Sequence, residues 1–113
     1  MADDCIFCRI VRREIPATIV FEDEHVVAFR DISPQAPVHV VIVTREHVAS
    51  LDQVTNPAQL GAMSAAARDI ARKENIAKSG YRTVVNTNAD GGQTVFHLHM
   101  HVLGGRHMAW PPG

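Results

Sequence analysis

The chain has no block of lysine or arginine. Its 11 basic residues, Arg9, Arg12, Arg13, Arg30, Arg45, Arg68 and Lys73 among them, are scattered against 12 acidic ones, and the net charge is −1. That balance argues against a nucleic-acid groove. No apolar run approaches the roughly 18 residues of a membrane span. The start, Met1-Ala2-Asp3-Asp4, is acidic and no signal-peptide core follows it, so a cytoplasmic location is expected. Only two cysteines occur, Cys5 and Cys8. A reducing compartment argues against a structural disulfide between them. There is no internal repeat, linker or low-complexity tract. The 113 residues are expected to form one domain, 1–113, able to bury roughly 65% of its unfolded surface.

The apolar pattern that remains is ordinary and readable. Ile6, Phe7, Ile10 and Val11 recur at about helical spacing between Cys5 and Arg13, a short helix ended by Pro16. Thr18 to Phe21 and Val26 to Phe29 are β-rich runs around Glu22-Asp23-Glu24-His25, which reads as a hairpin. Asp31 to Pro37 is a loop. Val38 to Val43 is apolar except for His39 and reads as a central strand. Asn56-Pro57 is a helix start, with Asn as N-cap and Pro at the first helical position. Leu60, Met63, Ala67, Ile70, Ala71 and Ala77 continue a helical stripe toward a stop at Gly80. Tyr81 to Asn86 is a strand and Thr87 to Gln93 a turn. Gly104-Gly105 ends the last strand, before the stiff tail Trp110-Pro111-Pro112-Gly113. The pattern predicts an α+β domain: a five-stranded antiparallel sheet, one long helix and a short N-terminal helix.

What the chain does have is histidine at a strict spacing. His97, His99 and His101 alternate with Leu98, Met100 and Val102. A strand has a side-chain period of two, so the three imidazoles would share one face and the apolar residues the other. Three readings follow. The rings could be satisfied structural histidines, although the strict spacing and a fourth ring, His39, in another central strand weigh against this. They could form a catalytic metal site, although no Asp or Glu follows Asp90 in or beside the strand. Or one neutral imidazole could attack phosphorus and form a covalent intermediate, with its neighbours stabilising phosphate oxygens and assisting the leaving group. The preceding loop favours the third. Gly91-Gly92 lets main-chain N–H groups approach an anion, Thr94 adds a hydroxyl, and Asn86 stands at the end of the adjacent strand.

His97 to Leu103 resembles the signature of the histidine triad (HIT) superfamily, His-φ-His-φ-His-φ-φ with φ apolar, at every position. The resemblance covers nearly the whole chain and is nearest to the histidine triad nucleotide-binding (Hint) branch. It is carried by Ile15-Pro16-Ala17, Phe21-Glu22-Asp23, Ala28-Phe29, Asp31 to Pro37, Asp90 to Gln93, Gly104-Gly105-Arg106 and the 104–113 tail. It implies a HIT-like fold and a purine nucleoside phosphoramidase that releases an amine and AMP without needing a metal for catalysis. His99 would be the nucleophile. His101 would contact the phosphate and, with Thr94, assist the leaving group, while His97 and His39 orient the site. Asn86, Gly92 and the Thr94 main chain would hold phosphate and Asp31 the ribose. Phe7, Ile10, Phe29 and Ile32 would line the base pocket. Hint proteins are similar to one another in forming homodimers, with Trp110 near the partner's site. The run Gln93-Thr94-Val95 is also similar to the dinucleoside polyphosphate hydrolase branch. A nucleotide-binding interaction module with incidental hydrolysis is the alternative from another class.

Cys5-Ile6-Phe7-Cys8 admits redox, zinc or simple burial. No thioredoxin-like strand-to-helix pattern supports redox use. A closed structural zinc site needs four ligands. By resemblance to bacterial relatives, His47 and His97 would complete a Cys2His2 set, a role that competes with a direct catalytic one for His97. His25 and His107 carry no assigned role.

Overall fold

The computed structural model describes residues 4–113; the acidic start, Met1 to Asp3, lies outside the described residues. In chain order the elements are α1 (Ile6–Val11), β1 (Ile19–Glu22), β2 (Val26–Arg30), β3 (Val38–Thr44), a 3-10 turn at Leu51–Gln53, α2 (Pro57–Lys73), β4 (Tyr81–Val84) and β5 (His99–Gly104). The strands form one antiparallel sheet in the order β1-β2-β3-β5-β4. This is the α+β architecture that the apolar pattern predicts, with one long and one short helix.

Strand register decides what each face of the sheet carries. Directly paired residues of an antiparallel sheet project to the same side. Val41 pairs with His101, Val43 with His99 and Leu103 with His39, so these side chains share one face. Val40 pairs with Val102 and Ile42 with Met100 on the other. That second face packs against Met63, Ala66, Ala67, Ile70 and Ala71 of α2. Alanines at three of these positions let the helix lie close to the sheet. Ile70 and Met63 are fully buried there, each contributing about 1.5–3 kcal/mol by leaving water. The first face is covered at its β2–β3 side by a smaller cluster. Ile10 packs there with Val27, Phe29, Val41 and Val43, joined by Phe7 and Ile15. Between this cluster and β5 the sheet face is open, and the histidines stand at that opening.

Helix α2 begins as expected. The Asn56 side chain accepts from the Ala58 N–H at 3.0 Å, and Pro57 is the first helical residue. Its end differs. Asn75 adopts φ 61°, the Ile76 N–H returns to the Ala71 carbonyl at 3.0 Å, and the Asn75 N–H returns to Arg72 at 3.3 Å. Asparagine tolerates the left-handed region that such a cap requires. Ala77 therefore lies past the helix, and Gly80 closes a separate turn onto the Ile76 carbonyl. Helix α1 stops the same way, with Arg13 at φ 63° and the Glu14 N–H bonded to the Arg9 carbonyl at 2.8 Å. Pro16 is not what ends it. No helix among the described residues is long and apolar enough to cross a membrane.

Candidate active site

The regular pairing of β5 starts at His99, two residues later than the alternation predicts; Val95 to His97 bend instead. The buried Gln93 side chain shapes this approach. Its Nε2 donates to the Ala49 carbonyl at 2.8 Å and to that of Val95 at 3.1 Å, and its Oε1 accepts from the Asn88 N–H at 2.9 Å. Before it, Gly91 passes so close to the chain that a Cβ there would lie 2.4 Å from the Thr87 carbonyl oxygen. The Leu98 N–H then bonds the Val48 carbonyl at 2.7 Å. The alternation nonetheless runs through this bend: Leu98 packs with Val102 on the α2 side, while Phe7 meets both His97 and His99 on the other. The His97 ring turns into the interior, at 0% exposure, toward Cys5, Cys8 and His47.

Hydrogen bonds assign a tautomer to each ring. His99 Nδ1 lies 2.7 Å from the His97 carbonyl oxygen. A carbonyl only accepts, so Nδ1 carries the proton, and in the neutral ring Nε2 is the nitrogen with the lone pair. His97 Nε2 lies 2.7 Å from the Thr44 carbonyl oxygen. Nε2 is thus the donor, and Nδ1 faces the two sulfurs unprotonated. His39 Nε2 approaches His101 Nδ1 at 2.8 Å and Asp31 Oδ2 at 3.4 Å. Phe7 makes T-shaped contacts with His97, His99 and Phe29, with ring centroids 5.9, 5.0 and 5.6 Å apart.

His99, His101, Phe7 and Phe29 border a cavity of about 350 Å³, which His97 does not line; its volume is within the range of small-molecule sites. Phe7, Ile10, Phe29, Asp31, Ile32, Asn86, Gly92, Thr94, His99 and His101 all line it, as do Ile15, Pro16, Ala17, Val41 and Val95. His39 stands behind His101 rather than in the wall. Ile32 is a rim residue, 100% exposed. Gly92 sits at φ 81°, and its N–H is used by the Ala89 carbonyl at 3.0 Å. It therefore gives the cavity space rather than a donor. The Thr94 main chain and the Asn86 and Thr94 side chains make no hydrogen bond with the other described residues, and they face the same opening. A larger, shallower cleft of about 570 Å³ beside Glu46, Ser50 and Gln59 contains none of the triad.

Burial, with the His99 and His39 rings beside it, pushes His101 down to about 4, partly offset by the Asp31 carboxylate. Burial likewise lowers His39, again offset by Asp31. Both rings are neutral at pH 7. Between about pH 6.5 and 4 the unfolded chain binds a proton at His101 that the folded chain refuses, so stability falls as the pH is lowered through that window. The slope is up to about 1.4 kcal/mol per pH unit, less the solvent screening of a half-buried ring. Urea midpoints at pH 7, 6 and 5 should show it, and His101→Gln should flatten it.

Two clusters of described residues could hold a metal ion. In the first, Cys5 Sγ and Cys8 Sγ lie 3.3 and 3.5 Å from His97 Nδ1, and Cys8 Sγ lies 3.2 Å from His47 Nδ1. Tetrahedral zinc with sulfur at ~2.3 Å and nitrogen at ~2.0 Å separates such ligand atoms by about 3.5 Å. The ring nitrogen of His97 away from the cluster donates to Thr44, the usual outer support of a metal-bound imidazole. The donor set fits zinc. The second cluster, Asp31, His39 and His101, fits poorly, because the far nitrogen of His39 receives a hydrogen bond from the Gln35 N–H at 3.0 Å instead of donating one.

The comparisons with known proteins agree with this geometry. An uncharacterized HIT-like protein of Synechococcus elongatus is 51% identical over 115 aligned residues, covering 100% of both chains. A purine nucleoside phosphoramidase of Escherichia coli K12 is 50% identical over 108 residues, 94% of this chain and 91% of that one. A solved HIT family hydrolase of Legionella pneumophila superposes with a TM-score of 0.94 at 47% identity, covering 97% of this chain and all of the other. The HIT domain family model matches residues 12–108, from the end of α1 through the triad and past Arg106. With its fold, its triad and its relatives in agreement, the chain belongs to the HIT domain family.

Proposed function

We propose that the protein is a hydrolase of purine nucleoside 5′-phosphoramidates acting through a nucleotidyl–His99 intermediate. The observation that carries this reading is the His99 tautomer. A main-chain carbonyl holds its Nδ1 proton and leaves Nε2 as an unprotonated nucleophile in a cavity with apolar walls and open donors. In the first step His99 Nε2 bonds to the α-phosphorus and the P–N bond breaks. A solvent water at the Thr94 hydroxyl gives the departing nitrogen its proton. The hydroxide so formed attacks phosphorus in the second step, the His99–phosphorus bond breaks, and AMP leaves. Phe7, Ile10 and Phe29 enclose the base, with Ile32 at the rim. Asp31 would accept from the ribose hydroxyls through Oδ2, which also lies 3.4 Å from His39 Nε2, while Oδ1 accepts from the Ser33 N–H at 2.7 Å. Asn86 and Thr94 hold phosphate oxygens. The E. coli relative named as a phosphoramidase supports the choice of bond.

Zinc at Cys5, Cys8, His47 and His97 is proposed as a structural group only. It would tie α1 to the segment before β5, and no step of catalysis uses it. A homodimer is proposed through β4, an edge strand with Tyr81 exposed. Trp110, 80% exposed, would then reach the partner's cavity. Adenosine 5′-phosphoramidate, mixed with the protein, quenched within milliseconds and weighed intact, should show an AMP adduct that peptide mapping places on His99. AMP release without any adduct, or an adduct elsewhere, would sink the covalent reading.

A further inference from the structure

A hydrogen-bond chain reaches His101 from outside the cavity. It starts at a main-chain amide. The Gln35 N–H donates to His39 Nδ1 at 3.0 Å. An amide N–H cannot accept, so a neutral His39 must carry its own proton on Nε2. That nitrogen lies 2.8 Å from His101 Nδ1, which must then be the acceptor. The single proton of a neutral His101 is left on Nε2, the nitrogen that remains for the cavity. A ring with one proton has one donor, so its direction matters in a way it would not for an imidazolium.

Gln35 is itself held. Arg106 places Nε and Nη2 on the Gln35 carbonyl at 3.2 and 3.0 Å. The Gln35 side chain donates to the Ser33 carbonyl at 2.9 Å. Arg106 reaches this loop because Gly105, at φ 88°, lets the chain pass Pro37; a Cβ there would lie 2.9 Å from the proline ring. The residues just past the triad strand thus brace the loop that carries the amide.

We propose that Gln35, through its main-chain N–H, and Arg106, through the Gln35 carbonyl, are positioning residues that lock the tautomers of His39 and His101 and so present His101 as a neutral Nε2–H donor to a phosphoryl oxygen. This rests on the hydrolase reading above. It also assigns His101 the part of a fixed donor rather than a proton-giving acid.

Ring-15N-labelled histidine in the full chain separates the tautomers by NMR, with no turnover needed. Wild type and Gln35→Ala, which keeps the N–H, should show Nε2–H on both His39 and His101. Gln35→Pro lacks the N–H and should shift both rings toward Nδ1–H. Arg106→Ala should give a mixture and covers the case in which Gln35→Pro does not fold. Kinetically, Gln35→Pro should lose about 100-fold in kcat, the scale of one removed oxyanion donor, and Arg106→Ala roughly 3- to 10-fold, each with KM within about twofold. The losses should be equal for adenosine 5′-phosphoramidate and for an AMP aryl ester that needs no proton to leave. Unchanged tautomers in both Gln35→Pro and Arg106→Ala would overturn the lock. A loss confined to the phosphoramidate would overturn the donor assignment in favour of an acid. If wild type cleaves neither compound, the hydrolase reading fails, while the tautomer measurement still decides the lock.

Discussion

His99→Ala is expected to lose about 10⁴-fold or more in turnover of an AMP phosphoramidate while still binding AMP within about tenfold of wild type. The size of the loss follows from the absence of a substitute. His97 is fully buried, and its Nε2 is committed to the Thr44 carbonyl. His101 has its Nδ1 lone pair engaged by His39, and the proton on Nε2 faces the cavity. Neither can offer a lone pair to phosphorus where His99 does. Binding survives because Ile10, Phe29, Asp31, Asn86 and Thr94 line the cavity independently of the ring. Steady-state kinetics and calorimetric AMP titration of the same preparation separate the two effects. Turnover within tenfold of wild type would end the nucleophile assignment.

Loss of metal is expected to produce the largest change in stability. Purified wild type should carry about one zinc per chain and Cys8→Ser close to none. A site filled at 100 to 1,000 times its dissociation constant adds about 2.7 to 4.1 kcal/mol to the folded state. For a domain of this size that is on the order of 10–20 °C in thermal midpoint. Cys8 is the informative member, buried with its sulfur between His47 Nδ1 and His97 Nδ1. Serine at a buried thiol has a cost of its own, so the comparison is with chelated wild type. The two midpoints should fall together, and further chelator should not move the variant. Turnover of chelated wild type at 25 °C should persist, because no step passes through the cluster. A midpoint indifferent to chelator, with no zinc taken up on supplementation, would dismiss the site.

The legible parts of this molecule are those whose signals reside in side chains. The apolar run from Val38 to Val43 announces a central strand, and Asn56-Pro57 announces a helix start, because burial and capping select residue types. For the cavity wall the residues themselves point only to the triad histidines, Asn86 and the Gly91-to-Thr94 loop, and Phe7, Phe29 and Asp31 are named by the resemblance to the HIT superfamily; all three line the cavity. The helix end was not legible. Gly80 looks like the stop, yet Asn75 takes the left-handed position first, and nothing in local composition ranks the two. Alternation places His97 on the face of His99, and Phe7 touches both rings there. What alternation does not show is that strand pairing stops at His99 and that His97 is fully buried beside Cys5, Cys8 and His47, a long-range outcome with no periodic trace. Least visible of all were Gln35 and Thr44, which act through an N–H and a carbonyl that every residue possesses.

Phe7 stands between the two cysteines in the chain and touches His97 on one side and His99 on the other. One side chain is therefore a wall of both the sulfur–imidazole cluster and the cavity beside His99. Any free energy that an occupant of the cluster lends to the cavity by fixing this ring must be returned in equal measure. A nucleotide that binds tenfold more tightly to the metal-loaded chain makes the metal bind tenfold more tightly too. With both proposed sites coupled in this way, the occupancy of either would report on the other, and zinc uptake in solution would depend on how much nucleotide surrounds the protein.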